Sequence, residues 1–276
     1  MLRIEDLDAV RCPREFADLL EADLAWLGLA ADEGGSKGGP RGPYYQSERS
    51  AIYEEYYQKL VRKGLVYPCF CSRSELHAAE APHASDGRII YAGTCRELTA
   101  GQRSAKMQQR RPAWRIKVDD ELIAFTDMHY GRQQANLAHE CGDFILRRSD
   151  GIYAYQLAVV IDDALMGVNQ VVRGCDLLSS TPVQLYLYRL LKLTPPSFCH
   201  IPLLTDAAGR RLSKRDGDLE IAALRQHFGN PESIIGLLAY LAGQLPKPEP
   251  ITAAELLPLF RPEAVPHDNI VVPQLL

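Results

Sequence analysis

Apolar and polar positions change their spacing along this chain, and the changes mark its elements. Residues 2–6 alternate apolar and charged, which predicts a strand end. Asp8 and Pro13 then lead into Phe16, Leu19, Leu20, Leu24 and Leu27, the spacing of one buried helix face. After a glycine-rich loop at 34–40, Ile52, Tyr53, Tyr56 and Leu60 predict the buried stripe of a second helix, with Gly64 where a left-handed cap is wanted. From Tyr67 to about Thr126 the pattern breaks into short strand-like pieces and turns, which predicts an inserted subdomain. The β-branched run Ala158-Val159-Val160-Ile161 predicts a strand covered on both faces and ended by Asp162-Asp163. A further strand at 170–174 precedes Ser180-Thr181-Pro182, a hydroxyl cap and first-turn proline that open a helix through Leu191. This is βαβ rhythm, and such sheets bind ligands at the carboxyl ends of their strands, where Arg173 and the aspartate pair are expected. Two short helices follow, at 219–228 and 231–241, before a proline-rich tail with one short helix at 253–260.

Composition narrows the class. A chain of 276 residues, 46% hydrophobic and 24% charged, is expected to form one large or two smaller globular units. No apolar run approaches the roughly 20 residues that span a bilayer, and the first residues are not a secretion signal, so no membrane partner and a cytoplasmic location are expected. The net charge of −4 gives no global attraction to nucleic acid, leaving local pairs such as Arg110-Arg111, Arg147-Arg148 and Arg210-Arg211 to hold any such partner.

Three groups of residues carry candidate chemistry. Arg211, Leu212, Ser213, Lys214 and Arg215 follow a tight turn at Ala208-Gly209 and set cations where a polyphosphate could lie; Lys214 is the ammonium suited to charge developing on phosphate oxygens. Of the seven cysteines, Cys12, Cys141, Cys175 and Cys199 are isolated, whereas Cys69, Cys71 and Cys95 cluster. Three thiolates suit a structural Zn²⁺ that needs a fourth ligand, for which Tyr91, His77 and His83 are candidates and histidine is the commoner kind. Tyr155 and Arg173 are suited to a carboxylate, and Glu5 to an ammonium. Each of these also has a plain structural use on its own.

The ordered set changes that balance. Leu2 to Asp8, Tyr45-Gln46-Ser47-Glu48-Arg49, Tyr155 to Asp163, Val172-Arg173-Gly174, Ser180-Thr181-Pro182 and Arg211 to Arg215 together resemble the class I glutamyl-tRNA synthetases, over residues 2 to about 245. Within that group the shortness of the chain after residue 241 resembles the glutamyl-Q tRNA(Asp) synthetase family, which lacks the anticodon-binding domain. The resemblance implies tRNA-independent activation of L-glutamate with ATP and Mg²⁺, then transfer to the queuosine base of tRNA(Asp), by a monomer. It implies Glu5, Tyr155 and Arg173 as glutamate-binding residues and Lys214 as the ATP-binding lysine, with Arg211 in place of the usual first lysine. It also implies one structural Zn²⁺ on Cys69, Cys71, Tyr91 and Cys95.

The expected fold is therefore α/β: a Rossmann-type class I catalytic domain with an inserted zinc-bearing subdomain. Its expected parts are 1–66 and 127–200 for the nucleotide fold, 67–126 for the insertion, 201–245 for the signature loop and short helices, and 246–276 for the tail. None of the 7 histidines stands in the His-x-Gly-His-type pattern of class I synthetases, so the resemblance places that signature, the first strand and an early substrate-contacting arginine before Met1, and the catalytic domain is expected to be N-terminally incomplete. A fragment of a glutamyl-tRNA synthetase and a catalytically inactive RNA-binding paralogue are the alternatives.

Overall fold

The computed structural model describes residues 1–72, 74–75, 90–212 and 221–272. Helix α1 (Arg14–Trp26) forms where expected, but its orientation is not the expected one. Ala17 is the residue turned inward, against Ile4 and Tyr45, while Phe16 and Leu19 are 62% and 59% exposed. Among the described residues no element covers that face. The N-terminal residues that were expected as a strand end make only single parallel bridges, Leu2 to Gly34 and Ile4 to Tyr45.

Helix α2 (Ser50–Arg62) buries Tyr53, Tyr57 and Leu60, and Gly64 at φ +69 ends it in the left-handed region that a side chain would disfavour. β1 (Val66–Cys69) leads to helix α3 (Ala100–Gln109), which Thr99 and Gln102 start with a capping box. β2 (Ala113–Ile116) pairs antiparallel with β1. The hairpin of β3 (Leu122–Asp127) and β4 (Gly131–Asn136) follows, then the single turn α4 (Leu137–Glu140) and β5 (Phe144–Arg147), which adds to β2 to complete a three-stranded sheet.

The run Ala158 to Ile161 is not a strand. It lies in the middle of helix α5 (Tyr155–Leu165), in which every residue from Leu157 to Asp163 is buried. A helix enclosed on all sides loses its polar face, so its sequence has no 3.6-residue period to read and β-branched residues imitate a buried strand. The Asp162-Asp163 pair consequently sits within a helix and not at a strand end. β6 (Gln170–Gly174), helix α6 (Thr181–Leu191) and β7 (Ser197–Ile201) make one βαβ unit, β6 and β7 parallel from Gln170 opposite Ser197 to Gly174 opposite Ile201. Pro182 stands in the first turn of α6 as expected, yet Ser180 is already helical and its hydroxyl caps nothing.

β8 (Leu204–Thr205) pairs in parallel with β9 (Ile270–Val271), so the tail returns to the body of the protein. Helices α7 (Ile221–Phe228), α8 (Pro231–Leu241, capped by Asn230) and α9 (Ala253–Leu256) lie between. The main core gathers α2, α5 and α6 over the three-stranded sheet, with Tyr53, Leu60, Ile116, Leu157, Ile161 and Leu187 among its buried members. Each large side chain of this kind contributes about 1.5–3 kcal/mol when withdrawn from water.

Candidate active site and metal centre

Arg173 projects from β6 into a part-buried region shared with α5 and α6. Its Nε donates to His200 Nε2 at 3.0 Å, and its Nη2 donates to Thr181 Oγ1 at 2.9 Å. Thr181 is the residue after the expected cap, and its hydroxyl serves the arginine instead of the helix end. Burial lowers the pKa of Arg173, with Tyr155, Asp163 and Tyr188 acting in the opposite direction.

Tyr155 begins α5, half-buried, and burial raises the pKa of its hydroxyl. The Glu5 carboxylate adds to that rise and Arg173 opposes it, so two of the residues expected to bind glutamate both act on the third. Glu5 is exposed and held by Arg3, whose Nη2 donates to it at 3.0 Å while Nη1 donates to Asp163 at 2.6 Å. Burial works against the Arg3 cation, but the Asp163 and Glu5 carboxylates outweigh it and hold the guanidinium charged. A hollow of about 410 Å³ opens beside Arg3 and Glu5. Deeper in, the Tyr188 hydroxyl is buried without a hydrogen-bond partner among the described residues, in the field of Asp163, Arg3 and Arg173. That hollow is lined by the N-terminal segment and α1, and Tyr155, Arg173 and Tyr188 lie outside its lining; the guanidinium, carboxylate and phenol groups of the region are together of the kinds that suit a zwitterion.

The cysteine cluster is built on β1 and the segment before α3. Cys69, Cys71 and Cys95 place their Sγ atoms within 4.8 Å of one another. Tyr91 Oη lies 3.4 Å from Cys69 Sγ and 3.8 Å from Cys71 Sγ, and Cys71 and Cys95 Sγ are 3.6 Å apart. With Zn–S bonds of about 2.3 Å a tetrahedron has S···S edges of roughly 3.8 Å, and the three spacings just given lie near that length while the widest thiol pair reaches up to 4.8 Å. Burial tends to raise the Cys69 thiol, but the Tyr91 hydrogen bond and Arg115 bring it below its ordinary value; Cys71, beside Cys69, is pushed up to about 12. Gly142 makes the position of Tyr91 possible: it bridges Tyr91 at φ +67, and a Cβ there would meet the Tyr91 carbonyl oxygen at 2.4 Å. His77 and His83 lie outside the described residues.

The tight turn at Ala208-Gly209 forms as expected: Asp206 Oδ1 accepts from the backbone N–H of Ala208 and Arg210, and Gly209 takes φ +76. The returning chain bridges Thr205 to Arg211, and Leu212 N–H donates to Leu204 C=O at 3.0 Å. The Arg211 guanidinium is paired with Asp176. Ser213, Lys214 and Arg215 lie outside the described residues.

Residues 1–255 match the family described as tRNA synthetases class I (E and Q), catalytic domain. The chain is 49% identical over 275 residues to the glutamyl-Q tRNA(Asp) synthetase of Nitratidesulfovibrio vulgaris strain Hildenborough, spanning 99% of this chain and 85% of that protein. The chain belongs to the glutamyl-Q tRNA(Asp) synthetase family of class I synthetases. Its relative in Symbiobacterium thermophilum is 47% identical over 277 residues, again with 99% of this chain and 85% of the relative covered. Among solved structures, the glutamate-tRNA synthetase of Elizabethkingia anophelis superposes with a TM-score of 0.81 at 26% identity, covering 99% of this chain but 61% of that one.

For a member of this family the fold brings Glu5, Tyr155 and Arg173 into one region and Cys69, Cys71, Tyr91 and Cys95 into another. It adds residues that sequence reasoning did not select: Arg3, Tyr188, Thr181, His200 and Asp127. Asp163 had been placed near Arg173 for the wrong reason, as the end of a strand. Arg3 could have been noticed as the single cation in the alternating start, but His200 and Asp127 carry no local signal, because His200 reaches Arg173 through the pairing of β6 with β7 and Asp127 reaches His200 through the approach of β3 to β7.

Proposed function

We propose that this chain activates L-glutamate with ATP and then transfers it to the queuosine base of tRNA(Asp). The observation that carries the reading is the convergence of Glu5, Tyr155 and Arg173, which are separated in sequence and contributed by the N-terminal segment, α5 and β6. Arg173 and Tyr155 hold the substrate carboxylate that is not activated, and Glu5 holds the ammonium. The other carboxylate oxygen attacks the α-phosphorus of ATP; the bond to the bridging oxygen breaks and pyrophosphate leaves with the electron pair. A queuosine hydroxyl then attacks the glutamyl carbonyl, AMP departs, and the hydroxyl proton is released to solvent or phosphate. Mg²⁺ accompanying ATP supplies charge neutralisation at the phosphates. Lys214 is assigned to the developing charge on the leaving group, and Arg211, Leu212, Ser213 and Arg215 to the loop that carries it.

The catalytic domain is read as Rossmann-type, and 67–126 as its zinc-bearing insertion, with Cys69, Cys71, Tyr91 and Cys95 enclosing one structural Zn²⁺. The names of the relatives in Nitratidesulfovibrio vulgaris and Symbiobacterium thermophilum support queuosine-bearing tRNA(Asp) as acceptor.

The test is glutamate-dependent exchange of pyrophosphate into ATP without tRNA, followed by transfer of labelled glutamate to tRNA(Asp) with and without queuosine. Exchange without tRNA and transfer only to the queuosine form is the expected result. Transfer to tRNA(Glu) instead would favour a glutamyl-tRNA synthetase fragment, and folded, metal-loaded protein that performs neither step would overturn the enzyme reading.

A further inference from the structure

Arg173 is gripped from behind by groups with no part in the proposed chemistry. Asp127, the last residue of β3, is 1% exposed, and His200, on β7, is fully enclosed. Asp127 Oδ2 lies 2.6 Å from His200 Nδ1, and its Oδ1 accepts from the backbone N–H of His129 and Tyr130 at 3.0 and 2.9 Å. On the other side of the ring, Arg173 Nε approaches His200 Nε2 at 3.0 Å. A guanidinium nitrogen has only a hydrogen to offer, so Nε2 must be the bare, accepting nitrogen. The proton then stands on Nδ1 and is donated to Asp127. The tautomer with its proton on Nδ1 satisfies Asp127 and Arg173 together, and Thr181 Oγ1, 3.3 Å from Nε2, can turn its own hydrogen to that bare nitrogen. The other tautomer could donate to Thr181 but would oppose both Arg173 and Asp127.

The consequence concerns which edge of Arg173 can meet a ligand. A carboxylate can dock on a guanidinium side-on, through Nε and one Nη, or end-on, through both Nη nitrogens. Here Nε is spent on His200 and one hydrogen of Nη2 on Thr181. Nη2 also reaches the Leu177 carbonyl at 3.5 Å, too long to hold it firmly, so Nη1, and Nη2 against that weak contact, are what a carboxylate can take. We infer that Asp127 and His200 are positioning residues that reserve the end-on edge of Arg173 for the substrate carboxylate, and that they do so by fixing the imidazole tautomer. The inference rests on Arg173 being a glutamate-binding residue. Burial lowers the His200 pKa, which is in keeping with a ring that must stay neutral beside a guanidinium.

The discriminating variant is Asp127→Asn. Its carbonyl oxygen is required by the backbone N–H groups of His129, Tyr130 and, at 3.3 Å, His200, so its NH₂ is left facing His200 Nδ1, which reverses the tautomer and sets Nε2–H against Arg173 Nε–H. In the full chain, the KM for glutamate in pyrophosphate exchange should rise about 10–100-fold, the loss of one charged hydrogen bond, while the KM for ATP stays within error. His200→Leu should do the same, and His200→Gln, which keeps an acceptor near the Nε2 position, should recover most of the affinity. Nitrogen-15 spectra of histidine-labelled protein, with His200 assigned from His200→Gln, should show protonated Nδ1 and bare Nε2 in the wild type and the reverse in Asp127→Asn.

A wild-type His200 carrying its proton on Nε2 overturns the inference whatever the kinetics. So does an unchanged glutamate KM in Asp127→Asn and His200→Leu when Arg173→Lys raises it. Wild-type protein that shows the Nδ1–H tautomer yet neither binds nor activates glutamate overturns the proposed function, and the inference with it.

Discussion

Arg49 Nε and Asp162 Oδ1 are 2.7 Å apart in the protein interior, joined across 113 positions of sequence, with side chains 2% and 0% exposed. Gln46 and the Tyr53 hydroxyl both donate to the other carboxylate oxygen at 2.8 Å. α5 is thereby tied to α2 and to the turn before it. Asp162→Ala leaves the Arg49 cation buried and uncompensated, and should destabilise the protein by about 3–5 kcal/mol. Urea unfolding followed by circular dichroism measures it, and a loss below about 1 kcal/mol would show that water reaches Arg49 in the variant.

Removing the phenol oxygen from the cysteine cluster is the sharpest test of the proposed metal centre. Tyr91→Phe keeps the ring that stacks under Arg115 and deletes only the oxygen near Cys69 and Cys71. One equivalent of zinc is expected in the wild type, and its affinity should fall at least about tenfold in the variant. Competition with a chromogenic chelator reads this directly. Cys95→Ala should abolish stoichiometric zinc, because it removes a thiolate ligand.

Lys214→Ala should lower the rate of adenylate formation by roughly 10²-fold or more if the ammonium meets charge that develops in the transition state. The glutamate KM should be unaffected, since Arg173 and Tyr155 are intact. An unchanged exchange rate would remove Lys214 from the reaction.

Acid should weaken the fold through His200. Burial depresses its pKa below the ordinary value of 6.5, Arg173 adds to the depression and the Asp127 hydrogen bond opposes it. The unfolded chain therefore takes up a proton near pH 6.5 that the folded protein refuses. The stability carried by this residue is complete above that pH and is lost as the pH falls from 6.5 toward the depressed folded value. Asp127, whose pKa is also depressed, continues the loss below its ordinary 3.8. Urea midpoints measured between pH 8 and 5 should decline, and His200→Gln should remove the first part of the decline.

How much of this was legible beforehand follows from the range of each interaction. The sequence by itself determined α2 with its buried Tyr53 and Leu60, β6 and the helix opened by Pro182, the turn at Gly209 and the cysteine cluster, because period, cap, turn chemistry and motif are local. It misread Ala158 to Ile161 as a strand and turned the wrong face of α1 inward, because what surrounds a segment is not written within it. Tertiary structure alone decided those orientations. It also decided that Tyr91 joins the thiols through the close passage at Gly142, and that Asp127 and His200 stand behind Arg173. The hydrogen bonds spanning 27 and 73 positions depend on which strands pair and which merely lie side by side, and both are fixed by the packing of the whole core rather than by any stretch of chain.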